Sequence, residues 1–215
     1  MSETTAAAVV LAGGRSSRMG RDKATLSWGD GTLLDHVVAV ARRAGCGPVV
    51  VVGAAGFPRP VDAEGFLAVT DDEPGRGPLQ GIATGLTTAG DAGREVAFLC
   101  SVDLPRLHPA YVTAVLGALG DAEVALPVLH GHRQPLAAVY RTALGPRATA
   151  LLAAGARRPA DLFAVSDVRE LTAADLLADP ALAAADPRLD AVADVDTPEE
   201  YAAARSREEP DDAAT

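Results

Sequence analysis

The first feature able to do chemistry is a glycine pair followed by basic residues. The stretch VLAGGRSSRMGRDK covers residues 10–23 and starts in the apolar end of a predicted strand. Gly13 and Gly14 lack side chains, so their backbone N–H groups can approach a phosphate or a base edge closely. Basic residues that suit phosphate oxygens follow at once: Arg15, Arg18, Arg21 and Lys23. The segment predicts a phosphate-binding loop, with a glycine turn carrying solvated arginines as the alternative.

Acidic residues stand where later buried strands end. Asp103 closes the run AFLCSVD, and Asp196 lies in DVDTPEE just before a predicted helix. A carboxylate at a strand mouth can hold a hard cation such as Mg²⁺. The alternative for Asp103 is an Asx turn or an N-cap, and Asp196 lies beside a capping-box pattern. A second carboxylate near Asp103 would complete a metal pocket.

These parts together predict nucleotidyl transfer. A nucleoside triphosphate would lie in the glycine loop with its phosphates near the basic cluster, and Mg²⁺ on Asp103 would neutralise developing charge. Lys23, Asp103 and Arg18 are the predicted catalytic residues, and Arg15 is a predicted phosphate ligand. An acceptor that is itself a phosphate is ionised near pH 7, so the site needs no general base.

The pattern of elements predicts how these residues meet. Apolar runs of strand length, such as PVVVVG at 48–53, alternate with amphipathic stretches such as residues 32–45. This alternation predicts an α/β fold with a mostly parallel, helix-covered sheet, whose ligands bind at the carboxyl ends of the strands. Residues 191–197 are predicted to form a short closing strand, 156–188 remain unassigned, and 207–215 are predicted to be a disordered acidic tail.

Composition limits the possible partners. The chain has 215 residues and a net charge of −10, which argues against binding nucleic acid or an anionic membrane surface. Two cysteines are too few for a disulfide framework, and neither a signal peptide nor a membrane span is predicted. We therefore expect a cytoplasmic, soluble domain of residues 1–206.

The motifs, in order, resemble the molybdenum cofactor guanylyltransferases, a family within the nucleotidyltransferases of Rossmann-like fold. The resemblance spans residues 6–204 and rests on LAGGRSSRMGRDK, VTDDEPGRGPLQGI, FLCSVDLP, RQPLAAVYR and DVDTPEEYAAA. It implies a single-domain, three-layer fold and transfer of GMP from GTP to molybdopterin or its molybdenum-loaded form. It also implies Mg²⁺, pyrophosphate release and transient contact with molybdoenzymes or other cofactor-biosynthesis proteins.

The resemblance also assigns roles to residues. Those it places around the nucleotide are Leu11, Ala12, Gly13, Gly14, Lys23, Asp71, Pro78, Leu79 and Gly81, and the implied metal ligand is Asp103. Three positions depart from the family pattern: Gly53 where asparagine is common, Gln134 where histidine is common, and aspartates at 194 and 196 in place of asparagines. Aspartates there resemble cytidylyl- and sugar-nucleotidyltransferases, in which an acid helps to hold metal, so Asp196 is a candidate second metal ligand.

Two functions besides guanylyl transfer stay open. The first is a cytidylyl- or other nucleotidyltransferase that acts on molybdopterin or on another phosphorylated small molecule. The second is a non-catalytic module that binds nucleotide and delivers cofactor. The joint presence of Lys23 and Asp103 argues against the second, because a binder has less need of a metal.

Overall fold

The protein is an α/β molecule built on one central sheet. The structure, a computed structural model, describes residues 6–12, 22–54, 66–70 and 77–206. The strands of the described residues are β1 (Ala7–Leu11), β2 (Ser27–Trp28), β3 (Gly31–Thr32), β4 (Val49–Gly53), β5 (Phe66–Thr70), β6 (Val96–Ser101), β7 (Val124–Leu129), β8 (His132–Arg133), β9 (Ala137–Arg141) and β10 (Val168–Leu171). The main sheet runs in the order β10-β7-β9-β6-β1-β4-β5, while β8 pairs with β7, and β2 with β3 forms a separate hairpin.

The central strands pair in parallel, as the alternation of elements predicted. β1 pairs in parallel with both β4 and β6, and β4 pairs in parallel with β5. β9 is antiparallel to β6 and to β7. Because neighbouring parallel strands end at the same edge, the residues that follow β1 and β6 lie side by side.

Helices cover both faces of this sheet, which confirms the three-layer prediction. The helices of the described residues are α1 (Leu33–Arg43), α2 (Pro78–Asp91), α3 (Pro109–Gly117), α4 (Leu144–Ala153), α5 (Pro159–Phe163), α6 (Ala173–Leu177), α7 (Pro180–Ala185) and α8 (Pro198–Arg205). Alternate residues of β1 enter opposite cores. Ala8 and Val10 pack with α1 and α3, whereas Val9 packs with α2 and α4. A strand buried on both faces needs the near-continuous apolar run that the sequence shows.

Local capping explains where the helices begin. Thr32 accepts the Asp35 N–H, and the Asp35 carboxylate accepts the Thr32 N–H, so α1 starts in a capping box. Thr197 and Glu200 form the same arrangement at the start of α8, as predicted. Both helices therefore begin at defined residues, which matters because Asp196 immediately precedes the N-cap of α8.

One predicted strand is wrong and one unassigned region is now placed. Residues 191–197 form no strand: a 3-10 turn covers Asp190–Val192, and the segment continues as an extended loop. Ala191, Val192 and Val195 are buried in the α1/α3 core, so the alternation in AVADV serves core packing and not sheet pairing. The unassigned residues 156–188 form α5, β10, α6 and α7. The predicted tail, 207–215, lies outside the described residues.

Candidate active site

The candidate site lies at the carboxyl ends of β1 and β6. Beyond the β1 strand end, the Ala12 N–H donates to the Val52 carbonyl at 2.8 Å, and the Val102 N–H donates to the Leu11 carbonyl at 3.1 Å. Leu11 and Ala12 are buried. These bonds hold Leu11 and Ala12 between the ends of β4 and β6, and Asp103 follows β6 by two residues.

Lys23 reaches across this edge to two aspartates. It opens a 3-10 turn whose cap, Asp22, accepts the Ala24 N–H. The Lys23 Nζ lies 2.9 Å from Asp103 Oδ2 and 2.7 Å from Asp196 Oδ1. The side chains of Lys23 and Asp103 are only 12% and 18% exposed, whereas that of Asp196 is 51% exposed. The ammonium therefore lies between an inner carboxylate and one at the solvent boundary.

A backbone bond brings Asp196 to this position. The Val195 N–H donates to the Asp103 carbonyl at 3.1 Å, so the loop before α8 crosses the end of β6. The next residue is held by helix α8, because the Asp196 N–H donates to Glu200 Oε2 at 2.8 Å. The structure thus joins two carboxylates that are far apart in the sequence.

Negative charge exceeds positive charge among these described side chains. Partial burial, followed by the charges of Asp103 and Asp196, raises the pKa of the Asp194 carboxyl above its usual value, although the residue is solvent-exposed overall. Partial burial lowers the pKa of the Lys23 ammonium, but the bonds and charges of Asp196 and Asp103 outweigh it and leave that pKa raised. The cluster holds three carboxylates against one lysine.

Two carboxylates at this edge of the sheet are candidate ligands for a hard divalent cation. Within the described residues, no three carboxylate, histidine or thiol groups converge at metal-binding separation. Asp103 and Asp196 nevertheless each direct a carboxylate oxygen at the Lys23 ammonium. Carboxylate oxygens of this kind are the ligands that Mg²⁺ prefers. Asp103 and Asp196 stay the predicted ligands.

The start of α2 packs on the end of β1. An added Cβ on Gly81 would lie 3.1 Å from Leu11 Cδ2, so the first turn of α2 packs closely on the end of β1. Pro78 is exposed, whereas the Leu79 side chain is fully buried. Leu79 can therefore offer a ligand only its backbone, and its N–H already donates to the Arg157 carbonyl at 3.4 Å.

Sequence reasoning missed the contact between Gly77 and Arg157. Gly77 caps α2 with φ of +79°, and an added Cβ would lie 2.7 Å from the Arg157 carbonyl oxygen. A glycine just before a proline that opens a helix was the available signal, but its partner is 80 residues away in the chain. The remaining predicted site residues lie outside the described residues, and their roles stay predictions: Gly13, Gly14, Arg15, Arg18 and Asp71.

Comparison with known proteins places the chain in a family. The family model of the MobA-like NTP transferase domain matches residues 8–170. The chain belongs to the MobA-like NTP transferase family. A Mycobacterium tuberculosis protein named probable molybdenum cofactor guanylyltransferase is 43% identical over 173 residues, which cover 79% of this chain and 84% of that protein.

Solved structures support the same fold for this MobA-like chain. Molybdopterin-guanine dinucleotide biosynthesis protein A from Archaeoglobus fulgidus superposes with a TM-score of 0.69 at 17% identity, covering 93% of this chain and 97% of that one. The 2-C-methyl-D-erythritol 4-phosphate cytidylyltransferase of Thermus thermophilus gives 0.68 at 18% identity, covering 94% and 98%. At these identities the likeness shows the fold alone.

The MobA-like match covers only part of the candidate site. It includes Lys23 and Asp103 but ends at residue 170, so Asp194, Asp196 and all of α8 lie beyond it.

Among the described residues, no helix combines the length and apolar character that a membrane span requires.

Proposed function

We propose that the protein transfers GMP from GTP to molybdopterin or its molybdenum-loaded form, releasing pyrophosphate and yielding the guanine dinucleotide cofactor. The observation that carries the proposal is the meeting of Lys23 with Asp103 and Asp196 at the carboxyl ends of the strands, in a chain of the MobA-like family. The M. tuberculosis relative named as a probable molybdenum cofactor guanylyltransferase supports the choice of substrates.

The reaction exchanges one phosphoanhydride bond for another. An oxygen of the acceptor phosphate attacks the α-phosphorus of GTP, the bond from that phosphorus to the bridging oxygen of the β-phosphate breaks, and pyrophosphate leaves with the bonding electrons. The acceptor oxygen is already ionised near pH 7, so no base has to remove a proton. Positioning and charge neutralisation then supply most of the rate enhancement.

Lys23 contributes positive charge to this neutralisation, beside the predicted contributions of Arg15 and Arg18. Its ammonium donates to Asp103 and Asp196, and we expect phosphate oxygens of the nucleotide to replace these acceptors. When bound by Asp103 and Asp196, Mg²⁺ supplies further neutralisation of phosphate charge. The low exposure of Lys23 and Asp103 strengthens their electrostatic effect relative to that in bulk water.

A pyrophosphate-release assay tests the proposal. With GTP, Mg²⁺ and molybdenum-loaded molybdopterin, we expect pyrophosphate and the guanine dinucleotide in equal amounts. We expect Lys23→Ala and Asp103→Ala each to lower turnover by about 100-fold or more while leaving the protein folded. Arg147→Ala is the matched charge control, because Arg147 pairs with Glu123 on the α4 side of the molecule and should retain activity. Full activity of Asp103→Ala would contradict the metal assignment.

A panel of nucleotides and acceptors separates guanylyl transfer from a different activity. Product from CTP but not from GTP would indicate a cytidylyltransferase, and the aspartates at 194 and 196 are the residues that favour this second candidate. Pyrophosphate formation only with another phosphorylated acceptor would change the acceptor and keep the reaction type. Thermal stabilisation by nucleotide with no pyrophosphate release would indicate a binding module. A cytoplasmic location and transient contact with molybdoenzymes are parts of the same proposal.

A further inference from the structure

Helix α8 contacts both sides of the pair between Lys23 and Asp196. It begins at Pro198, two residues after Asp196, and it lies outside the residues that the MobA-like family model matches. We propose that Tyr201 and Glu200 are positioning residues that together hold Lys23 against Asp196 for nucleotidyl transfer. This inference rests on the proposed function, because the pair matters for catalysis only if Lys23 serves the nucleotide.

Glu200 fixes the aspartate side of the pair. Its Oε2 accepts the N–H of Asp196 at 2.8 Å and the N–H of Thr197 at 2.9 Å. The Thr197 hydroxyl in turn accepts the Glu200 N–H at 3.2 Å. Half of the Asp196 side chain is exposed to solvent, so burial alone does not fix its rotamer. The hydrogen bond that Glu200 accepts restrains the backbone of Asp196 and hence the direction in which the Asp196 carboxylate points.

Tyr201 fixes the lysine side of the pair. Its hydroxyl donates a hydrogen bond to the carbonyl of Ser27, four residues beyond Lys23. Its ring packs against Trp28, with ring centroids 6.2 Å apart, and Trp28 is only 4% exposed. The backbone between Lys23 and Ser27 forms a turn, in which the Leu26 N–H donates to the Lys23 carbonyl at 3.1 Å. A contact at Ser27 therefore also restrains the backbone of Lys23.

These contacts link Lys23, Asp196 and helix α8 to one another. Lys23 binds Asp196, Asp196 is held by Glu200, and the neighbouring Tyr201 binds the hairpin that follows Lys23. Residues 23 and 196 are thereby set by one short helix, even though the chain between them forms the rest of the domain. A displacement of the order of 1 Å in a reacting group can reduce a rate by about 100-fold. We therefore expect the contacts of Glu200 and Tyr201, called the α8 clamp below, to affect turnover.

The lysine content of the chain allows this clamp to be measured directly. Lys23 is the only lysine in the sequence, beside 18 arginines. An amine-directed acylating reagent therefore reports on Lys23 and on the N-terminal amine, and peptide masses separate the two. In the wild type we expect slow acylation, because the Lys23 side chain is only 12% exposed and two carboxylates hold its Nζ.

The test compares acylation rates of the full chain without nucleotide. We expect Tyr201→Phe, which keeps the ring and removes only the hydroxyl, to speed acylation of Lys23 at least threefold. Glu200→Ala should do the same, and Glu200→Gln, which can still accept both N–H groups, should restore a rate close to that of the wild type. Tyr111→Phe is the matched control: it also loses a hydroxyl bond to a backbone carbonyl, that of Ala137, and should leave the acylation rate unchanged.

A turnover assay gives the second measurement. We expect Tyr201→Phe to lower kcat by about 10-fold with a smaller change in KM for the nucleotide, because a displaced lysine weakens transition-state contacts more than initial binding. Acylation of Lys23 within twofold of wild type in both Tyr201→Phe and Glu200→Ala would overturn the inference, as would an equal increase in Tyr111→Phe. If acylation changes as expected but the wild type releases no pyrophosphate, the clamp is supported and the proposed function is the part that fails.

Discussion

Gly85 is the position where the packing of α2 on the sheet can be tested most sharply. An alanine Cβ at residue 85 would lie 2.2 Å from Val9 Cγ1 and 3.3 Å from Val52 Cγ2. Non-bonded carbons pack at about 3.5–4.0 Å, so α2 would have to move away from β1 by roughly 1.5 Å or distort Val9.

The expected cost follows from two opposing terms. Overpacking in a filled core costs about 3 kcal/mol at its upper range, and replacing a helical glycine by alanine returns about 1 kcal/mol. We therefore expect Gly85→Ala to lower the free energy of unfolding by about 2 kcal/mol. Gly90→Ala, in the last turn of the same helix, is the matched control. Its Cβ would meet Thr142 at an ordinary 3.6 Å, so it should gain about 0.5 kcal/mol.

Urea unfolding of the single and double variants measures their free energies of unfolding and so tests this packing. Val9→Ala alone should cost about 2–3 kcal/mol because it leaves a cavity. In the double variant Gly85→Ala/Val9→Ala, the new methyl occupies part of that space, so the combined cost should be at least about 1 kcal/mol below the sum. Additive costs, or a Gly85→Ala protein as stable as the wild type, would refute the close approach of α2 to β1.

Three further predictions concern charge, thiols and the α2 cap. Partial burial and neighbouring acids raise the pKa of Asp194 in the folded state, so its ionisation at pH 7 opposes folding. Asp194→Asn should raise the urea midpoint at pH 7, and this gain should vanish as the pH falls below about 4, the unfolded carboxyl pKa. Burial raises the pKa of Cys46 to about 11 and raises that of Cys100 further, so a disulfide reagent at pH 8 should label neither until denaturant is added. Gly77→Ala should lower the melting temperature by about 4–8 °C, because the left-handed backbone and the clash with Arg157 cost about 2 kcal/mol; an unchanged melting temperature would contradict this geometry.

Much of the fold could be predicted because its signals are local. The run PVVVVG predicts a buried parallel strand, and β4 covers Val49–Gly53. Thr32 and Thr197 predict helix starts, since a cap depends on residues three positions apart. The predicted strand at 191–197 failed because alternating apolar residues pack equally well as a loop whose Ala191 and Val195 enter a helix-covered core.

The sequence by itself determined the parts of the site: an inner acid at Asp103, a lysine at residue 23, and acids before the last helix. Only the tertiary structure decided that Lys23 and Asp196 meet at 2.7 Å, because the crossing of the 193–196 loop over β6 depends on one backbone bond from Val195 to Asp103. Spacing along the chain specifies caps and strand ends, whereas contact between residues 23 and 196 depends on how the sheet and its helices pack. For the same reason, the hydrogen bonds of Glu200 to Asp196 and of Tyr201 to Ser27 have no signature in the sequence beyond a helix cap.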